Sequence, residues 1–144
     1  MNDAAHELPS VISFSENIAD AQPPKPIPTG TYRASVKMSA VGPSKSSGKR
    51  TLTLTLHVTP DQYPADYTDG NPDGTILMHY VSVEDTPQGR FNTRRICEVF
   101  DVPMVGKDIN AMDFMNRECY AKVMHEPYEG AMQAKIERGG LSAA

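Results

Sequence analysis

From Thr31 the chain alternates: Tyr32, Ala34, Val36 and Met38 fall on one parity, Arg33, Ser35, Lys37 and Ser39 on the other. A period of two marks a strand with one buried face. Residues 50–58, RTLTLTLHV, repeat it more cleanly, with Leu52, Leu54, Leu56 and Val58 inward and Thr51, Thr53, Thr55 and His57 outward. The Gly/Ser connector GPSKSSGK makes these two runs a long hairpin with a basic tip. TILMHYVSV, at 75–83, is apolar at both parities, which predicts a third strand in a more buried or barrel-closing position. GRFNTRRICEVFDV changes the period: Ile96, Val99 and Phe100 share a helical face with Arg94 and Arg95 off it, and Phe91 is assigned to the contact between helix and core. NRECYAKVMHEPYEGAMQAKIER supplies two further strands around the turn EPYEG.

The order is therefore three strands, one short helix and two strands. It predicts a mainly β fold, a small five-stranded barrel of the oligonucleotide/oligosaccharide-binding (OB) type over residues 30–138, with a β-sandwich carrying an inserted helix as the other solution. Residues 1–29 form an N-terminal arm and 139–144 a short tail. In the arm, Ser13 followed by Glu16 marks a helix start, and Ile12, Phe14 and Ile18 are expected to dock on a core. Pro23, Pro24, Pro26 and Pro28 then hold the backbone extended, and Gly30 allows a bend into the first strand. The loop from Pro60 to Gly74 is long for a compact domain, which points to a functional or mobile segment.

A length of 144 residues with 39% hydrophobic content fits one domain with its own core. With 14 basic and 18 acidic residues the formal charge is -4, which argues against coating duplex DNA or an anionic membrane with the whole surface. Cys97 and Cys119 do not make a disulfide framework, and no N-terminal apolar run resembles a signal peptide or membrane span, so a soluble protein in a reducing compartment is expected. Asp69, Asn71, Asp73 and Gly74 match the first half of a calcium loop, yet the closing position is Tyr80 rather than Glu. His6, His57, His79, His125, Cys97 and Cys119 lack the paired spacing of closed zinc sites. No phosphate-binding glycine loop or nucleophile elbow occurs, and the expectation is a non-enzymatic protein with no cofactor or metal.

Charge layout is more informative. From Gly30 to Pro60 the charged residues are Arg33, Lys37, Lys45, Lys49 and Arg50, all positive, whereas the loop beyond carries Asp61, Asp66, Asp69 and Asp73 and no base. A cationic hairpin lining a groove would track a nucleic-acid backbone, with Arg90, Arg94 and Arg95 extending the track. The same cations would also keep a strand edge soluble and unpaired. Tyr80 and Tyr120 are the candidates for stacking on bases, while Tyr32 lies on the core parity of its strand.

The run ENIADAQPPKPIPTGTYRASV, the Gly/Ser/Lys connector into LTLTLHV, then RFNTRRICEVFDVP and RECYAKVMHEPYEGAMQAKIERG, resembles a group of small tailed-phage proteins of the replication and recombination region, described as single-stranded-DNA-binding or SSB-like. The resemblance spans roughly residues 14–138 and rests on order: Gly-x-Tyr after prolines, an Arg-bearing helix before DVP, and a terminal hairpin with H-x-x-Y-x-G. It implies an OB-like barrel protecting single strands in the cytoplasm of an infected cell. Arg33, Lys37, Lys45, Lys49, Arg50, Arg94 and Arg95 are then the backbone contacts, and Tyr80 and Tyr120 the ring faces. Single-strand binders of that kind commonly end in an acidic tail, whereas this chain ends IERGGLSAA, so either the acidic loop 61–73 takes over contact with a protein partner or the protein is not a typical replication factor. The alternative is a phage structural or interaction protein, a capsid-decorating subunit of the virion or an inhibitor of a host system. Its arm would self-associate by docking on neighbouring subunits. No membrane partner is expected in either case.

Overall fold

A computed structural model describes residues 10–144. The part of the arm before residue 10, with His6, lies outside the described residues. Five antiparallel strands form one sheet: β1 (Gly30–Pro43), β2 (Arg50–Val58), β3 (Thr75–Ser82), β4 (Glu118–Tyr128) and β5 (Ala131–Ala143). The helix α1 (Pro87–Phe100) falls between β3 and β4, as the period change predicts. The hydrogen-bonded order is β3-β2-β1-β4-β5. The expected closed barrel is corrected here: β3 and β5 approach one another but share no ladder, so the sheet stays open along that seam.

The inward rows are those the alternation marks. Leu52, Leu54, Leu56 and Val58 of β2 meet Ala34 and Val36 of β1, Leu77 of β3 and Cys119, Ala121 and Val123 of β4. Ile96, Cys97 and Phe100 of α1 close one end of this core. Each fully buried Leu, Val, Ile or Phe among them contributes roughly 1.5–3 kcal/mol. Thr86 caps α1 by accepting from the Gly89 amide, and Asp101, in the left-handed conformation, ends it. Gly89 packs directly on the Glu84 carbonyl, where any Cβ would collide, so the helix start lies hard against the loop leaving β3.

Four expectations need correction. A bulge between Val36 and Met38 reverses the parity of β1, so Ser39 turns inward and Met38 outward. β3 is an edge strand rather than a buried one, with Ile76, Met78 and Tyr80 in solvent. Phe91 is exposed on α1 and takes no part in the core. Among the described residues of the arm, only Ile18–Asp20 form a short 3-10 turn, and Ile12, Phe14 and Ile18 do not dock. The terminal residues 139–143 continue β5, and Leu141 packs inward opposite Ala121.

The loop between β2 and β3 has a structural task. Tyr67 donates its hydroxyl to the Lys25 carbonyl at 2.8 Å, and an Asp69 carboxylate oxygen accepts from the Lys25 amide at 2.7 Å. Tyr63 stands edge-on to Tyr67, with ring centroids 5.2 Å apart, and hydrogen-bonds Thr75. Ile27 is buried in the core, its carbonyl 2.7 Å from His125 Nε2, and Tyr32 donates to the Pro28 carbonyl. The proline tract is thus clamped from both sides before Gly30, at φ +151°, turns the chain into β1. Gln62 of the same loop exchanges two hydrogen bonds with the Arg33 backbone, filling in where β2 has not yet paired with β1.

Candidate nucleic-acid interface

Register sets the outer face of β1, β2 and β3 as rows. Tyr80, Thr53 and Ala40 form one; Ser82, Thr51 and Gly42 lie beside it toward the hairpin; Met78, Thr55 and Met38 lie on its other side. A groove of about 720 Å³ runs over the first two rows, walled by the hairpin turn through Ser44, Lys45 and Ser46. Among the described residues no carboxylate lines it. Tyr80 presents its ring to solvent at 65% exposure, with hydroxyls of Thr53, Ser82 and Ser46 along the same groove. Thr51 is an exception among the outward threonines: it is buried and donates its hydroxyl to the Lys49 carbonyl at 2.9 Å, tying the turn to the strand.

A second cleft of about 790 Å³ opens between the base of the hairpin, the N-terminal half of α1 and the loop at 104–109. Leu52, Val83, Met104 and Ile109 give it an apolar lining, and Arg50, Arg90, Arg94 and Lys107 bring four cations against the acids Glu84, Asp85 and Asp108. Arg90 is ion-paired with Asp85 at 2.7 Å and Arg94 with Glu98 at 3.5 Å. Such exposed pairs are weak and screened by salt, so a phosphate can compete for these guanidinium groups. Arg50 donates Nε–H to the Val83 carbonyl at 2.9 Å, which fixes the guanidinium at the cleft wall. Val41 lines both cavities from the strand between them: it pairs with Leu52 on the inward parity, so the groove and the cleft lie on opposite sides of the hairpin.

The sequence candidates therefore divide. Lys45 and Tyr80 line the groove, and Arg50 and Arg94 the cleft. Lys49 sits at the exposed turn beside Lys45, and Lys37 at the bulge of β1. Arg33 and Tyr120 face each other across β1 and β4, apart from both cavities, and Arg33 is tied to Glu118 at 2.6 Å. That hydrogen bond and the Glu118 charge raise the Arg33 pKa further above its ordinary value. Arg95 is exposed on α1 and lines neither cavity. Lys107 is a cation that pattern reading missed, because it lies in an irregular loop with no period; the outward parity of Thr53 and Ser82 was the available signal for the groove wall.

Other chemistry is sparse around these cavities. Cys97 and Cys119 are buried free thiols, and burial, with a smaller push from the neighbouring Glu118 carboxylate, moves Cys119 up to about 12. Burial also lowers the pKa of His79. Among the described residues no cluster of three His, Cys, Asp or Glu side chains is placed to hold a metal ion. Asp69 and Asn71, part of the calcium-like run, are engaged with Lys25 and with the Asp73 amide. No described helix is long and apolar enough to cross a membrane. No protein-family model matches the chain, and no curated protein does.

Proposed function

We propose that this protein binds single-stranded DNA without catalysis, the strand lying in the hairpin groove, with the cations of the arginine-bearing cleft on the other side of the hairpin as a second contact for its backbone. The observation that carries the reading is the groove itself: an exposed tyrosine ring, a wall of hydroxyls and a lysine turn, with no carboxylate among the described residues that line it. Sequence-tolerant binders combine these features, ring faces for bases and cations for phosphates. The strand order supports it too. Joining β3 to β5 would close the sheet with the connectivity of an OB-type barrel, and in that architecture oligonucleotides lie on the face of the second and third strands beside the first hairpin. On this reading the fold is a partly open variant of such a barrel, with the seam between β3 and β5 unpaired. Protection of single strands during phage replication or recombination is the role that the sequence resemblance attaches to it.

Fluorescence anisotropy with a labelled oligothymidylate over a salt series tests the reading. Affinity should fall as salt rises, with each neutralised phosphate contributing about -0.7 to the log–log slope. Replacing Lys45 and Lys49 together by Gln should flatten that slope by about 1.4, twice the single-strand value. Absence of binding at low salt, or a slope untouched by the double variant, rejects the assignment.

A further inference from the structure

The arm bears large apolar side chains that its own domain leaves bare. Val11, Ile12, Phe14 and Ile18 are 76, 78, 66 and 67% exposed. Single exposed hydrophobics are ordinary, but four within eight residues form a patch of the kind that marks an interaction surface. The clamp on Lys25 and Ile27, with prolines at 23, 24, 26 and 28, fixes the direction in which this segment leaves the domain. Little chain freedom remains to be lost when it docks.

A receiving surface lies on the same molecule, one row beyond Tyr80. Met78 and Met38 flank Thr55, and Ile76 follows beside His57, so three apolar side chains stand together in solvent on the outer face. The bulge that turns Met38 outward also leaves Lys37 exposed at its side. Between residues 10 and 24 the arm carries Glu16 and Asp20 and no base. The arm is thus acidic and apolar, and the face apolar with one cation, Lys37, at its edge and the Arg33–Glu118 ion pair beyond it.

We propose that residues 11–20 of one copy dock on the Met38, Ile76 and Met78 face of a second copy, with Glu16 and Asp20 toward that copy's Lys37. The contact is heterologous: each copy gives an arm and receives one, so copies add head to tail into a chain or a ring. Tyr80 and the hairpin groove border the docked segment and stay open.

The test is sedimentation velocity of the full chain over a range of concentrations without nucleic acid, so its result is independent of strand binding. Three samples are compared with the wild type: Phe14→Asp with Ile18→Asp, Met78→Glu, and an equimolar mixture of the two variants. All three substituted side chains are exposed, and thermal melting checks that each variant remains folded. The wild type should grow beyond one chain as concentration rises, and each variant alone should sediment as a single chain. The mixture should recover a two-chain species, because the arm variant keeps its face and the face variant keeps its arm. A wild type that is a single chain throughout, assembly surviving in either variant, or a mixture that stays monomeric overturns the proposal.

Discussion

Phe114→Ala is expected to destabilise the fold by about 3–5 kcal/mol, the range for emptying a buried aromatic site. Phe114 is inaccessible to solvent and meets Phe100 edge-on, with centroids 5.8 Å apart. Its surroundings cannot collapse into the space, because Arg117 fastens the short helical turn Ala111–Phe114 to the end of α1 through the carbonyls of Asp113 and Asp101, at 2.6 and 2.7 Å. Against a typical domain stability of roughly 5–15 kcal/mol, that loss is a large fraction. Calorimetry should show the midpoint falling by about 10 °C, taking roughly 2–4 °C per kcal/mol for a domain near this size. Phe91→Ala is the control: its ring is exposed on the same helix, and it should change stability by no more than about 0.5 kcal/mol. Equal melting of the two variants would mean that the turn does not plug the core.

The second large effect concerns binding. Tyr80→Ala should weaken single-stranded DNA binding by roughly 1–3 kcal/mol, the worth of one stacked base, or about 5- to 150-fold. Stability should hardly move, because the ring already stands in solvent on an edge strand. Tyr80→Phe should keep most of the affinity, since the stacking face is retained. The salt slope should remain that of the wild type, because no charge is removed. Tyr120→Ala is the informative comparison: Tyr120 sits on β4 opposite Arg33, outside both cavities, and its loss should leave affinity unchanged. Equal affinities for wild type and Tyr80→Ala would remove this ring from the interface and, with it, the main support for a stacking groove.

Much of the sheet is legible in the chain because Leu52, Leu54, Leu56 and Val58 alternate without interruption, and an unbroken period fixes which face is buried. The same logic misplaces Met38. One extra residue at the bulge exchanges the two faces, and no residue type in VKMS announces it. Apolar residues on both parities of β3 suit a strand covered on both sides; here the outward set belongs to an edge and stays bare, a distinction that depends on which strands become neighbours. The site is legible only as a tendency. The basic bias of the hairpin is plain in sequence, but Arg33 is diverted to Glu118 by the pairing of β1 with β4, and Arg50 is fastened to Val83. Lys107 reaches the cleft from a loop that only the folded chain brings there.

The clamp around Lys25 and Ile27 also settles how tension on the arm is shared out. A pull on its distal end is resisted first by Tyr67, Asp69 and His125, which hold Lys25 and Ile27 just ahead of the start of β1. Load of this kind reaches the core through Ile27 and the start of β1, while residues 44–49, held by their own Ser44 bonds, lie at the opposite end of that strand. Whatever grips the arm can therefore tow the domain without prising open its groove.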